Sequence, residues 1–133
     1  MTVQYSVAVR NNLLDSIETT TGASAKLVLY TGSQPANCAA AATGVVLATL
    51  SLPTDWMAAA SGGTKTLLGT WTVAASGAGT AGYYRILDSA GTSCHEQGSV
   101  AIATGGDLNL DNTSVAVGQN ITITSKTITA GNP

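Results

Sequence analysis

A chain of 133 residues is long enough for one domain that buries roughly two thirds of its unfolded surface, so no metal or disulfide is needed to hold it together. Ala, Thr, Gly and Ser supply about half of the residues, charged residues only 9%, Phe is absent, and the formal net charge is −2. Arg10, Lys26, Lys65, Arg85 and Lys126 are scattered, which argues against nucleic-acid binding, and no apolar run approaches the ~20 residues of a membrane-spanning helix.

In chain order, Tyr5 to Thr21 predicts the one substantial helix, about residues 6–21. Val9, Leu13 and Ile17 fall at i, i+4 and i+8, with Leu14 beside them. Ser6 is placed to cap its start and Gly22 to stop it. Asn11, Asn12, Asp15 and Glu18 lie off that stripe. Val9, Leu13 and Ile17 are therefore expected to be buried, on a sheet or against a neighbouring chain. Leu13→Ala would then cost on the order of 2–4 kcal/mol.

Everything after Gly22 reads as short strands. Ala25–Thr31 and the mostly apolar Gly44–Leu52 are strands on either side of Asn37–Thr43, whose four alanines fit a helical turn or a loop. Thr54–Ala60 predicts one helical turn capped by Thr54 or Asp55. Trp56 and Met57 within it are either a core plug or the anchor of an interface. Lys65–Ala75 alternates, with Leu67, Trp71 and Val73 on one face and Gly69 marking a bulge or a close approach.

Tyr83–Leu87 places Tyr84 and Ile86 opposite Tyr83, Arg85 and Leu87. Asp88-Ser89-Ala90-Gly91 is the strongest hairpin signal, followed by a return strand over Thr92–Ala103. Three further alternating runs carry Leu108 and Leu110, Val115 and Val117, and Ile121 and Ile123. Ile128 is out of phase with the last of these, and a bulge near Ser125–Lys126 would turn it inward. Together these features predict a single, mainly β domain over residues 1–133. Its architecture is an antiparallel, jelly-roll-like β-sandwich with one N-terminal helix. Its core is expected to hold Leu67, Trp71, Val73, Ile86, Val100, Ile102, Ile121 and Ile123.

Little in the chain carries chemistry. Cys94 and His95 are adjacent, and neighbours on a strand point to opposite faces, so they make no nucleophile–base dyad. Cys38, Cys94 and His95 lack the close-spaced pairs of a zinc site. No catalytic, cofactor or metal site is predicted. Cys38 and Cys94 form either one disulfide or two free thiols, and both arrangements stay open. Asn112-Thr113-Ser114 and Asn120-Ile121-Thr122 match the glycosylation pattern by composition alone. Met1–Arg10 lacks the charged start and apolar stretch of a secretory leader.

Tyr5–Gly22, Gln34–Ala39 (QPANCA), Leu52–Ser61 (LPTDWMAAAS), Cys94–Val100 (CHEQGSV) and Leu110–Ser114 (LDNTS) carry a resemblance along the whole chain. The sequence resembles small structural proteins of the virion modules of tailed bacteriophages and prophages, most of all capsid cement or decoration proteins. The resemblance implies a β-sandwich or jelly-roll subunit, commonly trimeric, with the major capsid protein and itself as partners. It implies synthesis in the host cytoplasm and residence on the capsid surface. Two alternatives are another virion part (tail tube, tail terminator or fibre-associated subunit) and a carbohydrate- or receptor-binding module. The second would use Trp71, Tyr83 and Tyr84 as its aromatics.

Overall fold

The computed structural model describes residues 2–131. One helix, α1 (Val7–Thr21), precedes ten strands: β1 (Lys26–Thr31), β2 (Val46–Ser51), β3 (Thr64–Thr66), β4 (Thr72–Ala74), β5 (Gly79–Leu87), β6 (Cys94–Ile102), β7 (Leu108–Leu110), β8 (Ser114–Val115), β9 (Asn120–Ser125) and β10 (Thr127–Thr129). The chain is mainly β with one helix, as alternation and composition imply.

The strands do not separate into two stacked sheets. They join side by side in the order β2-β1-β5-β6-β7-β9-β4, with β8 against the start of β5 and a separate β10-β3 ribbon. The sheet curls until its ends approach: the Ser76 and Gly77 N–H groups, just past β4, donate to Leu47 O in β2 at 2.8 and 3.1 Å. It is thus a barrel-like sheet, nearly closed, which leaves little free edge.

The Asp88–Gly91 turn joins β5 to β6 as the sequence predicts, with Gly91 N–H donating to Asp88 O at 2.9 Å. One pair departs from the antiparallel expectation. β6 and β7 run parallel, Val100 beside Leu108 and Ile102 beside Leu110. Parallel neighbours usually need a crossover of a dozen residues or more; here residues 103–107 suffice. Ala103 takes φ +61° and Gly105 φ +94° to make the reversal. A Cβ on Gly106 would lie 2.6 Å from Ala101 N, so only glycine lets the returning chain pass so close. Asp107 then ties the loop to the strand, accepting from Ser99 N–H at 2.9 Å and sharing a hydrogen bond with its hydroxyl at 3.0 Å.

Inside the barrel, Leu27, Leu29, Leu47, Ile86, Leu108, Leu110, Ile121 and Ile123 surround the Trp56–Trp71 pair, whose rings lie 6.2 Å apart. Of the expected core, Trp71, Ile86, Ile121 and Ile123 are buried, and Leu67, Val73 and Val100 are partly buried against it. Ile102 is 55% exposed, because β6 ends there and the tight loop turns the chain out of the wall. The register of β9 against β7 shifts between Asn109 and Leu110, which skips Thr124, and Ile128 then packs on the core. That is the inward turn expected of a bulge near Ser125–Lys126.

Three local readings are corrected. Lys65–Ala75 is two strands, not one, because Gly69 at φ +78° breaks the run between β3 and β4. Residues 54–60 form no helical turn; after a bend at Thr54 and Asp55 the backbone runs beside β3, with Met57 bridged to Leu67 and Ala58 N–H donating to Thr66 O at 2.9 Å. Trp56 and Met57, at 0% and 1% exposure, are the core plug and cannot anchor a neighbouring chain.

Candidate functional site

The helix α1 is fixed at both of its ends. Ser6 caps α1 by accepting from Val9 N–H at 3.3 Å, and Gly22 N–H closes its end on Glu18 O at 2.8 Å. The sequence turns the apolar stripe inward, but the structure turns it outward. Val9 is 42% and Leu13 52% exposed. Ile17, at the edge of the stripe, is partly buried against the core, and Leu14 is the apolar side chain fully covered. Val3 and Val7, nearer the chain start, are also exposed.

The face that docks is the polar one. Asp15 accepts from Lys65 Nζ at 2.8 Å and from Ala60 N–H at 2.9 Å. Glu18 Oε1 accepts from the N–H groups of Trp56 and Met57 at 2.9 and 3.1 Å, and its Oε2 lies 3.2 Å from Lys65 Nζ. Asn11 accepts from Gly63 N–H at 2.8 Å, and Arg10 Nε donates to Ala130 O at 2.8 Å. Trp56 Nε1 completes the seam on Gly22 O at 3.0 Å. The residues 56–60 lie extended because their backbone donors serve the helix carboxylates instead of a helical turn of their own.

This seam holds its acids ionised. The Lys65 hydrogen bond, helped by Ala60 N–H, keeps the Asp15 carboxyl below the usual range. Burial pushes Glu18 upward, but hydrogen bonds from Met57, Lys65 and Trp56 outweigh it and hold it low. Asp55 shares a hydrogen bond with Glu18 and is pushed up by it. Asp15, Glu18, Asp55 and Lys65 line a cavity of about 280 Å³. The ammonium already fills the place where the carboxylates converge.

A second lysine is buried in the barrel. Lys126 Nζ donates to Tyr84 Oη at 2.7 Å and pairs closely with Glu96, which also accepts from Tyr84. Burial, reinforced by the Glu96 charge, pushes the Tyr84 phenol well above its ordinary value, so it remains a neutral donor. A polar trio of this kind inside an apolar wall is satisfied mainly by itself.

The remaining sequence candidates separate clearly. His95 is exposed while Cys94 is half-buried, as opposite faces of β6 require. Cys38 and Cys94 are free thiols brought to one cavity. Trp71, Tyr83 and Tyr84 are each buried to 1% exposure or less. Lys65 and Lys126 were missed as site residues, although each shares the strand parity of an inward neighbour, Leu67 and Ile128. None of the five cations is fully exposed, and Lys65, Arg85 and Lys126 are buried. No helix among the described residues is long and apolar enough to cross a membrane. Compared with protein-family models, curated proteins and solved structures, the chain has no significant match.

Proposed function

We propose that this chain is a non-enzymatic structural subunit of a phage virion, a capsid cement or decoration protein that docks through the outer stripe of α1. The observation that carries the docking is Val9 and Leu13, exposed on a helix whose polar face is turned into its own domain. A lone soluble domain normally does the reverse. Few charges and no fully exposed lysine or arginine leave a surface that is largely neutral, which suits a covered subunit better than a free one. The virion assignment itself rests on the sequence resemblance.

The mechanism is mechanical. A rigid β-domain bridges neighbouring copies of the major capsid protein, and preferential binding to the mature lattice stabilises it by mass action. A homotrimer closes at lattice threefold or quasi-threefold points, each subunit burying at least ~1,000 Å² in total. In this reading the nearly closed, barrel-like sheet takes the place of the sandwich or jelly roll that the resemblance implies. The carbohydrate-binding alternative needs an aromatic platform, and its three candidates are buried. A tail-tube or terminator subunit is the rival, and it would form rings.

Imaging of purified particles tests the proposal. Threefold clusters on the shell that persist in rising salt are expected, since screening weakens apolar attachment little. Particles carrying this chain only in the tail, or releasing it in modest salt, would contradict it.

A further inference from the structure

The connection between β1 and β2 folds back over the outer face of the sheet as a strap. Side chains rising from β5 and β6 hold it. Gln97 Nε2 donates to Pro35 O at 2.7 Å. The Arg85 guanidinium donates to Ala40 O at 2.8 Å and to Asn37 O at 3.3 Å. Tyr83 Oη donates to Thr43 O at 2.6 Å and accepts from Thr43 N–H at 3.0 Å. Beneath the strap, Tyr30 and Tyr83 stack with ring centres 4.8 Å apart in a small second core.

Cys38 sits in this strap and Cys94 begins β6. Both are half-buried and both line one cavity of about 310 Å³, where the Cys94 thiol donates to Glu96 O at 3.4 Å. With both thiols opening on that one cavity, a disulfide needs only local movement of the strap and the two side chains to bring the sulfurs to about 2 Å. Arg85 lines the same cavity, so the thiols face a fixed cation. The two positions lie far apart in sequence, which is where a crosslink most restricts the unfolded chain.

We propose that Cys38 and Cys94 are a built disulfide site, an intrachain staple that fastens the strap to β6 when the protein meets a disulfide oxidant such as glutathione disulfide. One protein thiolate attacks a glutathione sulfur and expels one glutathione. The second thiolate attacks the protein sulfur of that mixed disulfide and expels another. The two cysteines lose two protons and two electrons, and one glutathione disulfide becomes two glutathiones. Burial, then the contact with Cys38, pushes the Cys94 thiol up to about 12, so closure is slow at neutral pH. The reduced form persists in a reducing compartment, and the staple closes after release into an oxidising one. This inference stands apart from the proposed virion role.

The test uses the full chain, reduced, freed of reductant and incubated with glutathione disulfide at mildly alkaline pH. Expected is a monomer two hydrogens lighter, with no thiol left to alkylate after unfolding. Digestion should yield one peptide pair joining Cys38 to Cys94. The thermal midpoint should rise by at least about 5 °C, reversed by dithiothreitol. Cys38→Ser and Cys94→Ser should each stop at a single glutathione adduct. Two alkylated thiols, two glutathione adducts or a chain-to-chain dimer would overturn the site. A crosslink without a higher midpoint would overturn its role as a staple.

Discussion

The two faces of α1 follow opposite rules. Its inner face is anchored by Arg10, Asn11, Asp15 and Glu18, each bonded to backbone or to Lys65, with Leu14 as the fully covered apolar side chain. Its outer face carries Val9 and Leu13, 42% and 52% exposed. Directional bonds to extended backbone fix the helix in one orientation. The apolar stripe, which has no preferred angle, is left exposed. Polar groups can dock a helix when each desolvated donor finds an acceptor, because an unmade buried bond costs more than a made one gains.

The largest expected effect comes from breaking the inner face. Lys65→Met leaves Asp15 and Glu18 facing each other without their cation. The side chains of Lys65 and Glu18 are 2% and 18% exposed, but Asp15 is 42% exposed, so solvent relieves part of the loss. Denaturant unfolding should show a loss of about 2–4 kcal/mol. An unchanged midpoint would mean that the seam contributes nothing.

A pair of adjacent leucines sharpens the contrast. Leu14→Ala should cost about 2–3 kcal/mol, since Leu14 is 3% exposed, whereas Leu13→Ala should stay within about 0.5 kcal/mol for the isolated domain. Equal losses at the two positions would undo the assignment of faces.

Acid should loosen the inner face alone. Asp15 and Glu18 are both held below their ordinary values of 3.8 and 4.5 when folded. Their contribution is therefore complete above 4.5 and is lost as pH falls past 3.8 through the lowered folded values. Asp55 offsets a part, because its hydrogen bond with Glu18 raises its folded value, so acid favours the folded state there. Tryptophan fluorescence should report the loosening through Trp56, and the acid limb should flatten in Lys65→Met. The same limb in both proteins would place the acid sensitivity elsewhere.

Much of the sheet was legible in the sequence because it is local. Period-two alternation identified Trp71, Ile86, Ile121 and Ile123 as core, and Asp88–Gly91 as the hairpin. The helix was legible as a helix, but its facing was not. The stripe rule assumes apolar docking, while here the deciding partner, Lys65, arrives from a distant strand. The same non-local bonds draw residues 56–60 out of the helical turn their alanines favour. The nearly closed sheet was illegible for a related reason: the β4–β2 approach and the tight β6–β7 crossover depend on backbone contacts that leave no periodic mark. Signals for the buried lysines existed in their strand parity. Charge at an inward position of a chain this poor in charge asks for a partner.

The most direct measurement replaces both outward residues at once. Val9→Asp with Leu13→Asp adds charge to the exposed stripe and touches none of the seam. The purified variant should melt within a few degrees of the parent. Sedimentation should show it as a monomer and the parent as a trimer, and the variant should fail to decorate particles. A variant that still assembles and decorates normally would contradict docking through the outer face of α1, and one that unfolds would contradict the exposure of that face.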